Sequence, residues 1–480
     1  MSNVFSQLHP QLQSFLAERQ WEPTPVQEQS MDDLINGKER LLIAPTGSGK
    51  TLAAVLPLLH RCKVEEWKPL SILYITPLRA LNRDVDRRLA ELSEALDLRF
   101  ALRHGDTPTS ERSRQVRRPP HLLVTTPETF QLMFTGHRLR AMLSSVQAVI
   151  IDEVHDLAAN ERGWQLRLGL QRLESLCGRT LQKIGLSATV GNPQQVASWI
   201  SEESCQPIVA PAERSTVLSV ETAPPLPQDE VGAMEMRLSP RAHATFRLLS
   251  EIVEHDPPCL VFVNSRNAAE TVAQRLQTMA PQLTIGVHHG SLAAETRQEM
   301  EENIRNGTLH ALICTSSLEL GIDVGSIRKI VQLESPRSVD RMLQRVGRAD
   351  HRIGGIGRGH LLAWETDGIA ESAVVAHRSH LGMIEDVEWR NRPYSIAANQ
   401  IMLMAHSFKV VRIDDVHEIF SQTEQFADWT RKDTENVLAV LSDRWLLRYS
   451  IKPEETPWYR WPKHLYKAAK EAIPDSDEWP

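Results

Sequence analysis

Eight residues, Ala44-Pro45-Thr46-Gly47-Ser48-Gly49-Lys50-Thr51, close a short apolar run and open an amphipathic one. Their glycines let successive backbone N–H groups curl inward, and the helix that follows adds the positive end of its dipole. A loop of this kind cradles phosphate oxygens with Thr46, Gly47, Ser48 and Gly49. Lys50 would then neutralise the β- and γ-phosphates, and Thr51 would offer its hydroxyl to Mg²⁺. Further on, Ile150-Ile151-Asp152-Glu153-Val154-His155 ends another apolar run with two adjacent carboxylates. Asp152 suits a Mg²⁺ ligand acting through water, Glu153 suits the base that orients an attacking water, and His155 joins the nucleotide-binding set. Upstream, Pro23-Thr24-Pro25-Val26-Gln27 offers an amide, Gln27, able to pair with both N6 and N7 of an adenine. Downstream, Gln344-Arg345-Val346-Gly347-Arg348 places two arginines on one helical face, suited with Gln344 to stabilising γ-phosphate charge from across a cleft. Gly321-Ile322-Asp323 would set a carboxylate near ribose hydroxyls. Taken singly, an Asp-Glu pair or an arginine is usually a solvated surface group. Their order along the chain is what a cleft that binds ATP and Mg²⁺ requires.

These residues need elements to hold them. Short apolar runs at 41–44, 71–76, 121–125, 146–152 and 183–187 alternate with amphipathic helical segments, which predicts a parallel, doubly wound sheet. The Asp-Glu pair then falls at the carboxyl end of a strand, where open α/β sheets place their sites. A proline-rich stretch, 223–228, interrupts the pattern, and the alternation resumes at 259–264, 284–288, 311–315 and 329–333. The expected organisation is α/β throughout the first two units, two tandem RecA-like parallel-sheet lobes. Lobe 1 spans 1–212, a linker 213–228 and lobe 2 229–392. The segments 395–406, 413–421 and 430–445 read as three helices followed by a short strand at 446–451, the pattern of a winged-helix domain (393–455). A tail covers 456–480.

Composition sets outer bounds. The chain has 480 residues, 41% hydrophobic and 24% charged, which suits a soluble α/β protein of several domains. Its five cysteines (Cys62, Cys177, Cys205, Cys259 and Cys314) never form a CxxC pair, so neither a disulfide framework nor a zinc or iron–sulfur site is expected. The N-terminus lacks an apolar core and no later run approaches membrane-spanning length, so a cytoplasmic enzyme without a membrane partner is expected. A net charge of −7 argues against wholesale coating of nucleic acid but leaves room for a local groove.

The phosphate loop, DEVH, Ser187-Ala188-Thr189 and QRxGR occur in the order of the superfamily 2 helicases, which the chain resembles. Finer wording is similar to the Lhr (large helicase-related) family. It includes Thr76-Pro77-Leu78-Arg79-Ala80-Leu81-Asn82, Thr125-Thr126-Pro127-Glu128, Gly185-Leu186-Ser187-Ala188-Thr189-Val190-Gly191-Asn192-Pro193 and His288-His289-Gly290-Ser291. The resemblance runs from Pro23 to His351. It implies an ATP-dependent 3′-to-5′ translocase on single-stranded DNA, nucleoid-associated, able to unwind RNA–DNA hybrids, and active in DNA repair or replication. It also implies that Arg79, Thr126, Asn264, Arg266, Gly290 and Thr315 line the strand groove, bonding phosphates without reading bases. Ser187 and Thr189 would couple ATP state to lobe closure.

The chain departs from the family pattern in two places. Asp350 stands where the family's motif ends in glycine, placing a negative charge beside Arg348. The chain also stops soon after Trp458-Tyr459-Arg460-Trp461, before the further domain that family members carry, which leaves two expectations: a truncated or minimal form, or a partner protein that completes the grip. Two other readings remain open: an RNA helicase of the DEAD-box or Ski2-like type, and an ATP-switched strand clamp or annealing factor without motor activity.

Overall fold

The structure is a computed structural model that describes residues 3–45, 47–77, 83–201, 204–210, 216–318, 327–348, 357–450 and 458–460. Thr46, Arg79, Gly321, Asp323 and Asp350 from the sequence reading lie outside them. The described residues form three sheets.

The first contains β1 (Arg40–Ile43), β2 (Ile72–Ile75), β3 (Phe100–Arg103), β4 (Leu122–Thr125), β5 (Ala148–Ile151), β6 (Gln182–Ser187) and β7 (Gln206–Val209). All pairs are parallel, in the order β3-β4-β2-β5-β6-β1-β7. β2, β4 and β5 are buried at every position because helices cover both faces of the sheet. Alternate residues feed separate cores: Leu42, Tyr74 and Ile150 on one face, Leu41, Leu73 and Ile151 on the other. At about 1.5–3 kcal/mol for each fully buried aliphatic side chain, these two layers fix the strand register on which the site depends.

The second sheet contains β8 (Thr216–Glu221), β9 (Cys259–Phe262), β10 (Ile285–His288), β11 (Ala311–Cys314), β12 (Lys329–Leu333) and β13 (Gly357–Leu362), ordered β10-β11-β9-β12-β13-β8. Here the expected linker, 213–228, needs correction. Thr216–Glu221 pairs in parallel with Gly357–Leu362 as the edge strand of the second lobe, and Pro227 begins a helix, Pro227–Met236. This edge strand, Thr-Val-Leu-Ser-Val-Glu, lacks the unbroken apolar run of the central strands β9 and β11, and the prolines lie beyond its end. The crossing between lobes therefore falls between Val209 and Thr216.

The third unit has helices Tyr394–Phe408, Ile413–Ser421 and Arg431–Asp443. Beside them lie three short antiparallel strands, β14 (Val410–Arg412), β15 (Arg448–Ser450) and β16 (Trp458–Arg460), ordered β14-β16-β15. Along the chain the order is helix, strand, helix, helix, strand, strand. The central strand of the sheet comes from residues assigned on sequence to the tail. The unit packs on the first lobe, whose helix Glu161–Cys177 contributes Trp164 and Leu168 to its core. Among the described residues no helix is long and apolar enough to cross a membrane.

Candidate nucleotide site and strand interface

Three adjacent strands, β5, β6 and β1, deliver the acidic pair, Ser187 and the phosphate loop to one carboxyl edge of the first sheet. In that loop Gly47 (φ +80°) and Gly49 (φ +86°) occupy the left-handed region, which a side chain disfavours. Gly49 also caps the helix Lys50–Val64, so the loop's N–H groups and the helix start face the same space. The Lys50 ammonium donates to the carbonyls of Ala44 and Pro45 (2.9 Å to the latter), and the Ser48 hydroxyl donates to Pro45 O at 2.7 Å. Burial pulls the Lys50 pKa down, against the pull of Glu153 and Asp152.

Asp152 accepts from the Tyr74 hydroxyl through Oδ2 (2.8 Å) and from the Glu153 amide through Oδ1 (3.0 Å). Burial, then the neighbouring Glu153 charge, raises its carboxyl above the ordinary range. Burial likewise raises Glu153, opposed by Lys50 and by Arg348. Glu153 sits at φ +49°, strained for a side chain, at the cap of the short helix Val154–Ala158. Two half-buried carboxylates that desolvation makes reluctant to ionise fit a divalent cation, which would restore their charge. Asp152 and Thr51 are the residues that would hold it.

Across the cleft stands the helix Val339–Val346, with Arg348 just past its end. Arg348 is close enough to act electrostatically on both Lys50 and Glu153. Its neighbour Arg345 corrects the sequence reading. Rather than sharing the phosphate, its guanidinium is buried in the second lobe, donating to Gln332 Oε1 and lying 5.1 Å from the Phe262 ring centroid. Spacing of three residues put both arginines on one face, but that face spans the boundary between core and cleft.

His155 links the lobes. Its Nδ1 accepts from the Ala188 amide (3.3 Å) and lies 3.2 Å from Ser187 Oγ. Burial lowers its pKa, so the ring is neutral and carries its hydrogen on Nε2. That nitrogen is 2.9 Å from the Gln344 amide. The atom at that distance is Gln344 Nε2; because Nδ1 already accepts from Ala188 N, the amide is assigned turned about, so that its oxygen accepts from the ring Nε2–H. Gln344 is thus a cross-cleft partner of His155. Thr189 is exposed and, with Pro45, Ala188, Gln344 and Gly347, lines an interlobe cavity of about 580 Å³.

Gln27 differs from expectation. Its Oε1 accepts from Thr24 N (3.0 Å), closing the capping box of its own helix, and its Nε2 donates to Gly49 O (3.2 Å), bracing the phosphate loop.

The strand candidates lie on loops following other strands. Thr126, after β4, is buried and caps the helix Pro127–Met133, accepting from Thr129 N at 3.3 Å. In the second lobe Asn264, Gly290 and Thr315 follow β9, β10 and β11, which are neighbours in the sheet. Asn264 is exposed and donates to Ser335 O at 2.8 Å. Arg266 is exposed at the first turn of the helix Arg266–Met279. A Cβ on Gly290 would meet nothing within 4 Å, so protein packing does not demand the glycine and its backbone lies open. The structure therefore separates the nucleotide-site candidates, after β5, β6 and β1, from the strand-groove candidates, which follow β4 of the same sheet and β9, β10 and β11 of the second. Sequence reasoning missed His155 as the hub of the cross-cleft contact, because its partners lie 32 and 189 residues away.

Known proteins fit this geometry. A DEAD/DEAH box helicase model matches residues 24–196, and a helicase conserved C-terminal domain model matches 244–354. The chain is 32% identical over 438 residues to the ATP-dependent helicase Lhr-Core of Methanocaldococcus jannaschii, covering 87% of this chain and 51% of that one. It is also 32% identical over 487 residues to the Lhr helicase/uracil glycosylase of Escherichia coli, covering 88% of this chain and 31% of that one. Mycobacterium smegmatis helicase Lhr, solved with ssDNA and AMP-PNP, superposes with a TM-score of 0.85 at 32% identity, covering 98% of this chain and 62% of that one. The chain spans about half the length of the archaeal curated relatives it matches. With two RecA-like lobes, a shared cleft and this likeness along nearly its whole length, the chain belongs to the Lhr family of superfamily 2 helicases.

Proposed function

We propose that this chain is an ATP-driven motor that moves 3′ to 5′ along single-stranded DNA and opens duplexes ahead of it, RNA–DNA hybrids included, in DNA repair or replication. The observation that carries the reading is the convergence of Lys50, Asp152 and Glu153 from one lobe with Gln344 and Arg348 from the other. A nucleotide held there touches both lobes, so its binding and loss change the relation between them. The nucleic-acid class is supported by the ssDNA-bound mycobacterial relative and by loops rich in hydroxyl, amide and backbone groups suited to phosphates.

In this scheme the phosphate loop and Lys50 hold the β- and γ-phosphates. Glu153 takes a proton from the attacking water, and Arg348 offsets charge that builds on the γ-phosphate oxygens. Mg²⁺, held by Thr51 and Asp152, supplies further charge neutralisation when bound. His155 carries the state of the acidic pair to Ser187 on one side and Gln344 on the other. Groove residues Thr126, Asn264, Arg266, Gly290 and Thr315 grip the backbone, which predicts sequence tolerance and strong salt sensitivity.

The test is ATP turnover with and without an oligothymidine, paired with unwinding of 3′- and 5′-tailed DNA–DNA and RNA–DNA duplexes. Strand-stimulated turnover and a 3′-tail requirement are expected. Lys50→Ala and Glu153→Gln should each reduce turnover by about 10²-fold or more, with strand affinity changed only several-fold. Stimulation by RNA and not by DNA would favour an RNA helicase, and absence of any stimulation would favour a clamp.

A further inference from the structure

Residues 384–389 leave the second lobe after the helix Thr366–His380 and touch every unit of the molecule. Ile384 packs on the second-lobe core, Val387 and Trp389 pack on the first-lobe core, and Trp389 also reaches the core of the third unit. This strap makes polar contacts with two motifs of the cleft.

The Glu385 carboxylate accepts from Val339 N with both oxygens (3.0 Å each) and from Asp340 N at 3.2 Å. It thereby caps the helix Val339–Val346, which carries Gln344 and leads to Arg348. A carboxylate at this end satisfies orphan N–H groups and meets the positive end of the helix dipole. The carbonyl of the same residue accepts from Gly191 N at 3.2 Å, in the loop just past Thr189. Beside it Asn192 brackets Val387, accepting from its amide at 2.8 Å and donating to its carbonyl at 2.9 Å. Gly191 cannot carry a side chain here. A Cβ would stand 2.5 Å from Ile384 O and 2.9 Å from Glu385 O, backbone atoms that cannot swing away.

We infer that Glu385 is a positioning residue that joins the Ser187–Asn192 loop of the first lobe to the Arg348-bearing helix of the second, so that a shift of one displaces the other. Among the described residues its one side-chain partner is Arg378, whose guanidinium stands 3.9 Å from the carboxylate, and not a residue placed in the nucleotide or strand site. The effect of Glu385 is on where Arg348 stands relative to Lys50 and Glu153. The inference rests on the ATP-driven closure proposed above, and it adds a second route between the lobes beside the His155–Gln344 contact.

The experiment uses the full chain with Glu385→Ala, Glu385→Gln, Asn192→Ala and the Glu385→Ala/Asn192→Ala double variant. Glu385→Ala should lower the strand-stimulated kcat about tenfold while the KM for ATP, the Kd for oligothymidine and the Tm stay close to wild type. Glu385→Gln, which keeps an acceptor oxygen, should recover most of the loss. The double variant should be no worse than the weaker single, because both residues act through one strap. A wild-type kcat in Glu385→Ala overturns the inference, as does a loss matched by equal losses in strand affinity and Tm. If the wild type shows no strand-stimulated turnover, the motor reading itself fails. The strap is then judged by small-angle scattering with AMP-PNP and oligothymidine, where a Glu385→Ala chain that compacts as fully as wild type overturns it.

Discussion

Arg345 and Arg348 sit one turn apart in the same segment, yet one faces a phenyl ring in the second-lobe core and the other faces the acidic pair across the cleft. Their substitutions should therefore separate stability from chemistry. In Arg345→Ala the buried Gln332 oxygen loses its charged donor and a void opens beside Phe262, so unfolding free energy should fall by about 1–3 kcal/mol. Arg348→Ala should instead reduce strand-stimulated turnover by about 10²–10³-fold, the range found when one donor to a developing charge is removed. Urea melts and turnover assays on the two proteins check this, and equal stability losses in both would dissolve the distinction. Gln27 carries a related lesson at the same scale. An amide that looked free to read a base is held at both ends, by Thr24 and by the carbonyl of Gly49.

Edge strands depend on devices other than apolar burial. β3 is only half-buried, and the residue before it, Arg99, donates its amide to Nδ1 of His121 at 3.0 Å, at the start of β4. To accept that bond Nδ1 must be unprotonated, and burial pushes the His121 pKa down to about 4. The unfolded chain takes up a proton near the ordinary histidine value of about 6.5, so it binds more protons than the native state below that pH. Stability contributed here is complete above about pH 6.5 and is lost as pH falls toward 4. His121→Asn, whose amide oxygen is an uncharged acceptor, should show a smaller drop in Tm between pH 7.5 and 5 than wild type; an unchanged drop would assign the acid sensitivity elsewhere. The same contrast between buried and edge elements explains what the sequence revealed. β2, β4, β5 and β11 are continuous apolar runs and could be read directly, as could the phosphate loop, whose chemistry lies in contiguous residues. β7 and β8, which are edge strands with no buried position and runs broken by Gln206 and Pro207 or by Ser219, could not. Nor could Glu385, because its contacts join positions 46 and 194 residues apart along the chain and depend on how the lobes are stacked.

At the scale of the whole molecule, the third unit is fixed to the first lobe by polar groups as well as by Trp164 and Leu168. Arg172 is fully buried, and among the described residues its guanidinium meets neutral partners: Gln131 Oε1 at 3.2 Å, Gln400 Oε1 at 3.1 Å and Ser407 Oγ at 3.4 Å, with the Phe134 ring centroid 4.4 Å away. Burial draws its pKa down to about 9, which still leaves it charged at neutral pH. A buried cation without a carboxylate is a poor source of stability, so its value lies in direction, since a planar fork accepts its partners at few angles. Gln131 belongs to the helix that Thr126 caps, and Gln400 and Ser407 belong to the first helix of the third unit. One side chain thus ties the helix Pro127–Met133 to the first helix of the third unit, and its planar fork favours one angle between them. Arg172→Ala should lose roughly 3 kcal/mol or more, from a void and amide oxygens left without a donor. Arg172→Met fills the void without burying charge and should recover most of that stability. It restores no angular preference, however, so duplex unwinding by Arg172→Met should stay well below wild type while strand-stimulated ATP turnover remains near it. The comparison isolates geometry from folding: a stable Arg172→Met protein that unwinds as fast as wild type would show that the third unit needs only to be attached, not aimed.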